Sequence, residues 1–266
     1  MSLLSITTLQ ADLVWEDKAA NLRLFESKLE QLPKDAEIVV LPEMFTTGFS
    51  MNAAALAEDM EGETIDWMRD MAANYRIVLT GSMIAKEGDA YFNRLIWMLP
   101  NGQFGYYDKR HLFSLGHEHE HYQPGNKRLI ASVKGWKINV QICYDLRFPV
   151  WARQQIDRTT EIPQPEYDVL IYVANWPEKR SHAWKTLLCA RAIENQCYVV
   201  GVNRVGKDGN NVYHSGNSLV IDPLGEVLYH VADEEDMATL ILQKQHLDDV
   251  RARLPFWKDG DGFLIQ

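Results

Sequence analysis

The chain has 266 residues, with 27 lysines and arginines against 37 aspartates and glutamates, for a formal net charge of −10. That acidic balance argues against nucleic acid or an anionic membrane as partner, because both need a basic face. Three cysteines are too few and too odd for a disulfide framework, no run reaches the ~18 apolar residues of a membrane span, and the first residues lack a secretory signal, so a reducing, cytoplasmic setting is expected.

Ser5–Trp15 reads as a strand interrupted by Asp12, and 21–32 as a helix on the stripe Leu22, Phe25, Leu29, Leu32, stopped by Pro33. Glu37–Pro42 is a short, continuous apolar strand of the kind buried on both faces, and a loop follows from Glu43 to Asn52. A helix is predicted over 64–75, then strands over 76–85, 91–99 and 103–108, the last two joined by a Pro100-Asn101-Gly102 turn. Lys109–Asn126 is a long polar loop, and loops of that length in compact domains usually carry function. Strands at 128–133 and 136–142 follow. In the second, Trp136, Ile138, Val140 and Ile142 alternate with Lys137, Asn139 and Gln141, the period-2 pattern of one buried face.

A helix over 150–156 and a proline-rich 162–165 segment lead to a strand at 168–174. The strongest helical pattern covers 179–196, with Trp184, Leu187, Leu188 and Arg191 on one side. Strands at 197–204, 218–221, 227–230 and 239–243, a turn at Asp222–Gly225 and a helix over 247–254 complete the chain. No repeat or linker interrupts it. Many strands and few helices imply two sheets face to face with helices outside, an α/β architecture, in one domain spanning 1–266.

Reactive residue types gather at predicted strand ends. Cys143 follows the 136–142 strand at a corner that Pro149 forces to turn, where a sulfur would sit beside backbone N–H groups without ladder partners. The plainer reading is a small buried hydrophobe, the fate of most free cysteines. Glu43 ends an apolar strand, where desolvation would raise its proton affinity and make it a usable base; most glutamates are simply solvated. Lys109 opens the long loop, either as a buried cation able to neutralise an oxyanion or as one more surface charge in Asp-Lys-Arg-His. Asn175 and Trp176 end the 168–174 strand, as donors or as an ordinary turn.

His117-Glu-His-Glu-His121, with His111 nearby, raises a zinc site, because alternate histidines of an extended segment share a face. The helical His-Glu-x-x-His spacing is missing. No glycine falls in a phosphate-binding pattern and no Gly-x-Ser-x-Gly elbow occurs, while Cys189 and Cys197 read as packing residues.

Taken together, these segments resemble the nitrilase, or carbon–nitrogen hydrolase, superfamily. The resemblance rests on Leu41-Pro-Glu-Met-Phe45, Tyr107-Asp-Lys-Arg-His-Leu-Phe113 and Ile142-Cys-Tyr-Asp-Leu-Arg-Phe-Pro149. It extends through Ala174-Asn-Trp-Pro177, Ala190–Asn195 and Gly216–Glu226, in the family's order over nearly the whole chain. Within the superfamily the likeness is to omega-amidases of the bacterial type, which act on the side-chain amide of 2-oxo acids such as 2-oxoglutaramate and 2-oxosuccinamate. Val150 departs from the pattern, since many members carry Glu there.

The resemblance implies a four-layer α-β-β-α sandwich, a homodimer, a small-molecule amide substrate, and catalysis with no cofactor and no metal. It implies Glu43 as general base, Lys109 as stabiliser of the oxyanion and Cys143 as nucleophile forming a thioester, with a second glutamate at Glu118 or, two residues on, Glu120. The Tyr144 backbone N–H is expected to share the oxyanion, and Phe45, Thr46, Asn175 and Trp176 to wall the pocket. Arg147 and Arg191 are candidates for the substrate carboxylate. Alternatives are a nitrile, a carbamoyl amine or a deaminated glutathione as substrate, and, from other classes, a non-catalytic binding protein or a zinc metalloprotein.

Overall fold

Alternation along each strand sorts apolar side chains onto two faces, and the fold follows from what covers each face. The computed structural model describes residues 2–157 and 164–265. In chain order the strands are β1 (Leu3–Gln10), β2 (Ile38–Val40), β3 (Val78–Glu87), β4 (Ala90–Met98), β5 (Phe104–Asp108), β6 (Leu129–Val133), β7 (Trp136–Ile142), β8 (Ile156–Asp157), β9 (Gln164–Pro165) and β10 (Val169–Ala174). β11 (Tyr198–Asn203), β12 (Val205–Lys207), β13 (Tyr213–Ile221), β14 (Val227–Ala232) and β15 (Asp236–Gln243) follow. The helices are α1 (Lys18–Leu29), α2 (Ala53–Leu56), α3 (Glu63–Tyr75), α4 (Glu118–His121), α5 (Pro149–Ala152), α6 (Ser181–Asn195) and α7 (Lys244–Arg253).

Six strands in the order β15-β1-β2-β3-β4-β5 form one sheet; β12-β13-β11-β10-β7-β6, with β14 beside β13, form the second. Ile38 and Val40 of β2 face the core between the sheets, with Ile6, Trp97, Ile138 and Val140, while Val39 faces the other way. There it meets Leu22, Phe25 and Leu29 of α1 and Ile65, Met68 and Ala72 of α3. On the second sheet, Trp184 and Leu188 of α6 close over Gly201 of β11, where a Cβ would lie 2.5 Å from Leu188. Helix, sheet, sheet, helix is therefore the layering, as expected.

Several boundaries move for identifiable reasons. β1 stops at Gln10 because Asp12 bridges to Val205 and its carboxylate takes the Arg204 guanidinium at 2.7 Å. α1 starts at Lys18 because the Asp17 carboxylate accepts the Ala20 N–H, an N-cap bond. The helix expected over 150–156 is the single turn α5, since Arg153 leaves the helical region at ψ 126° and the Gln154 N–H donates to Asn195 Oδ1 instead of continuing the helix. α2 and β12 have no counterpart in the sequence reading. Of the proline-rich segment, 162 and 163 lie outside the described residues, whereas 164 and 165 pair with Ile156–Asp157. The long loop after Lys109 is also more ordered than its polarity suggests. It holds a 3-10 turn at Ser114–Gly116 and α4, and Gly125 brings it back to its start, its N–H donating to the Lys109 carbonyl. Only glycine fits there, because a Cβ would lie 2.2 Å from the Asp108 carbonyl oxygen.

Candidate active site

Four strand ends converge. β2 runs through Leu41-Pro42 to Glu43, β5 to Lys109, β7 to Cys143 and β10 to Asn175, and all four residues line one cavity of about 880 Å³. β2 runs parallel to β1 in one sheet and β7 parallel to β10 in the other, and the residues that follow these strands meet at one rim.

Glu43 is fully buried and bonded on every side. Its Oε1 accepts from Lys109 Nζ and from Asn93 Nδ2, both at 2.8 Å, and its Oε2 accepts the Asn175 backbone N–H at 2.7 Å. Asn175 Nδ2 donates to the Glu43 carbonyl at 2.5 Å. Glu118, also fully buried, takes Lys109 Nζ from the far side at 3.0 Å and the Phe113 N–H at 2.6 Å. Asn93 Nδ2 reaches Glu118 as well, at 3.2 Å, and its Oδ1 accepts from the Ser82 hydroxyl, which fixes the amide with its donors toward both glutamates. One ammonium between two carboxylates, all out of water, satisfies the requirement that buried charges be paired and hydrogen-bonded.

The charges set the protonation states. Burial pulls the Lys109 proton affinity down, but Glu118 and Glu43 more than offset it, so Lys109 is held firmly as a cation. Burial raises Glu118, with the Lys109 charge opposing and the Glu43 charge adding. Burial, reinforced by the Glu43 carboxylate, pushes the Cys143 thiol well above its ordinary value, with Lys109 working against it. Those surroundings favour the neutral thiol at Cys143.

Cys143 occupies the left-handed region at φ 42°, which β-carbon-bearing residues adopt at a cost and keep mainly at functional turns. Asp145, fully buried, holds the turn. Its Oδ2 accepts the Ile142 N–H at 3.1 Å and the Tyr107 hydroxyl at 2.7 Å, and its Oδ1 accepts the His111 N–H at 2.9 Å. Tyr107 precedes Lys109 by two residues, so this carboxylate ties the Cys143 corner to the lysine's.

The expected residues fare differently. Glu43, Lys109, Cys143, Asn175 and Trp176 come together at the cavity, and Tyr144 lines it too. Glu118, not Glu120, reaches Lys109; Glu120 points outward to His117 at 2.8 Å. Phe45 and Thr46 are corrected, because they do not wall the cavity. Met44 also sits at positive φ, 43°, and the kink sends Phe45 into the α1–α3 side, with ring centroids 5.6 Å from Phe25 and 5.9 Å from Trp67. The Thr46 carbonyl instead accepts from Asn21. Phe49 and Phe113 take the apolar wall, Phe49 lying 5.1 Å from Lys109 Nζ. Arg191 is held by the Leu146 carbonyl and Glu194 away from the cavity, whereas Arg147 lines it, 4.9 Å over the Trp176 ring. Glu118–His121 is a helical turn capped by His117, so alternate residues no longer share a face as in a strand, and no metal-suited cluster occurs among the described residues.

Asn93 and Arg180 were missed. Asn93 carried a signal, a polar residue on the core side of an apolar strand, since buried polar groups need a partner. Arg180, at the cavity wall, carried none, because a surface arginine before a helix is commonplace.

Comparison with known proteins identifies the family. The family model for carbon-nitrogen hydrolases matches residues 5–252. The chain is 46 % identical to the omega-amidase YafV of Yersinia enterocolitica over 100 % of both chains, and 33 % identical to the 2-oxoglutaramate amidase of Bacillus subtilis over 96 % of both. Among solved structures, XC1258 of Xanthomonas campestris, a CN-hydrolase superfamily protein with an arsenic adduct in its active site, matches with a TM-score of 0.97 and 45 % identity over 100 % of both chains. The chain belongs to the carbon-nitrogen hydrolase family.

Proposed function

We propose that this hydrolase is an omega-amidase, cleaving the side-chain amide of 2-oxo acids such as 2-oxoglutaramate and 2-oxosuccinamate to the 2-oxo dicarboxylic acid and ammonia. The observation that carries the reading is Cys143 opening, beside the buried Glu43–Lys109–Glu118 cluster, on a cavity that also holds the Arg147 guanidinium. A thiol, a base and a fixed cation suit acyl transfer from an amide; the guanidinium suits a substrate carboxylate. The relatives named omega-amidase and 2-oxoglutaramate amidase support the same assignment.

The steps follow from where charge develops. Glu43 takes the Cys143 proton as the sulfur attacks the amide carbon, and the carbonyl electrons move onto oxygen. That oxyanion is held by Lys109 and by the Tyr144 N–H, which lies in the first turn of the 3-10 segment where backbone donors lack intrahelical partners. The tetrahedral intermediate expels ammonia as Glu43 returns the proton to nitrogen, leaving a thioester. Glu43 then deprotonates a water, hydroxide adds to the thioester carbon, and collapse releases the acid and restores the thiol. Glu118 serves as the positioning residue that keeps Lys109 in place.

The same reading takes 1–266 as one domain working in the cytoplasm as a homodimer, for which exposed Ile193 on α6 and Val150 on α5 offer apolar surface. Among the described residues no helix is long and apolar enough to cross a membrane. Ammonia release from 2-oxoglutaramate, with glutamine as control, tests the assignment in wild type and Cys143→Ala. Release from the oxo-acid amide and its loss in the variant are expected; release that survives the variant would sink the thiol mechanism.

A further inference from the structure

We propose that Arg180 is a specificity-determining residue, pairing with Arg147 in a two-guanidinium wall that accepts the carboxylate and 2-oxo oxygen of an oxo-acid amide and turns away the 2-ammonium of the matching amino acid. The inference rests on the omega-amidase reading and names the group that would separate 2-oxoglutaramate from glutamine.

Both arginines line the cavity that contains Cys143, and among the described residues neither guanidinium has a hydrogen bond or an ion pair. Each is instead laid on an aromatic ring, Arg147 4.9 Å from Trp176 and Arg180 5.1 Å from Phe113. Trp176 holds both, because its indole N–H also donates to the Arg180 carbonyl at 2.8 Å. Two half-buried cations on one cavity wall without a counter-ion are costly unless an anion comes to them. Burial lowers the Arg180 proton affinity and the Arg147 charge lowers it again; the groups that raise it are Cys143 and Tyr144, with no carboxylate among them. The acids on the cavity wall are engaged elsewhere. Glu43 pairs with Lys109, Glu16 accepts from Ser50, and Asp208 accepts the Asn210 and Val212 N–H groups of its own turn, leaving only Glu178, which is exposed. The 15-residue helix α6 begins at Ser181, so its positive end adds to the same corner.

The selectivity follows from donor chemistry. A guanidinium has five donors and no acceptor, and an ammonium has only donors. A 2-oxo acid presents carboxylate and carbonyl oxygens along one edge, matching a double fork. In glutamine, one of those acceptors is replaced by a charged donor facing a charged donor, so contact is lost and repulsion added.

The test measures kcat and KM on 2-oxoglutaramate and on glutamine for wild type, Arg180→Gln and Arg180→Lys. The expected result for Arg180→Gln is a fall of about 10- to 100-fold in the ratio of kcat/KM for the oxo acid over the amino acid, the size of one charge-assisted bond, carried by KM. Arg180→Lys, which keeps the charge, should restore part of the ratio, as a merely structural role would not. A wild type that prefers 2-oxoglutaramate with an unchanged ratio in Arg180→Gln overturns this inference alone. A wild type inactive on 2-oxoglutaramate overturns the omega-amidase reading and the inference with it.

Discussion

The corner that carries Glu43, the proposed base, and the corner that carries Cys143, the proposed nucleophile, are built alike and anchored differently. Each follows a buried strand, β2 or β7, and each contains a residue near φ +40°, Met44 at 43° and Cys143 at 42°. At the first corner the reacting group is itself the anchor, since Glu43 accepts from Lys109, Asn93 and Asn175. At the second the anchoring is displaced by two residues onto Asp145, which takes the Ile142, Tyr107 and His111 donors. The difference matches the work proposed for each. A base must stay aimed while its proton comes and goes, whereas a thiol that becomes an acyl carrier must be free to change its bonding while its backbone stays fixed.

Breaking the first corner should have the larger effect. Lys109→Met leaves Glu43 and Glu118 as two buried carboxylates without a cation, which should cost ~3–5 kcal/mol of stability and abolish measurable turnover. Thermal unfolding and ammonia release check this, and a variant of near-native stability would mean that the two acids do not share the lysine. Breaking the second corner should cost less. In Asp145→Asn the new amide N–H₂ faces bound donors, so the turn shifts, and kcat should fall by about 10²-fold, the usual result of a small misplacement. Unchanged kcat would show that the strained turn holds itself.

The smallest effect sharpens the comparison through pH. Glu118 has its pKa raised by burial, so on acidification it gains its proton at higher pH than an ordinary glutamate and weakens its hold on Lys109. The acid limb of kcat/KM should therefore lie above the ordinary glutamate range and move to lower pH in Glu118→Gln. Glu120→Gln, at an exposed carboxylate that meets only His117, should leave the profile where it is. A limb that moves with Glu120 would reverse their assignment.

What could be read from the sequence was whatever lies at a strand end. Period-2 alternation located β7 to the residue, and Glu43, Lys109, Cys143 and Asn175, each read at the end of a strand, come together at the cavity. What failed was inference from adjacency. Phe45 is two residues from Glu43, but the left-handed Met44 between them turns its ring to the opposite side of the sheet, and composition gives no warning of φ at a methionine. The same holds for Arg180, whose place depends on how Trp176 folds back to its carbonyl, a contact made by the tertiary structure alone.

The pairing of β15 with the full length of β1, from Leu3↔Gln243 to Gln10↔Asp236, bears on how the chain is made. Synthesis delivers every residue of the proposed triad before residue 236 exists. Until then β1 is an open edge with a row of unpaired backbone groups, the kind of surface that recruits strands from other chains. Newly made protein should thus be most prone to aggregate just before its last strand leaves the ribosome, with the reacting residues already translated but one sheet unfinished.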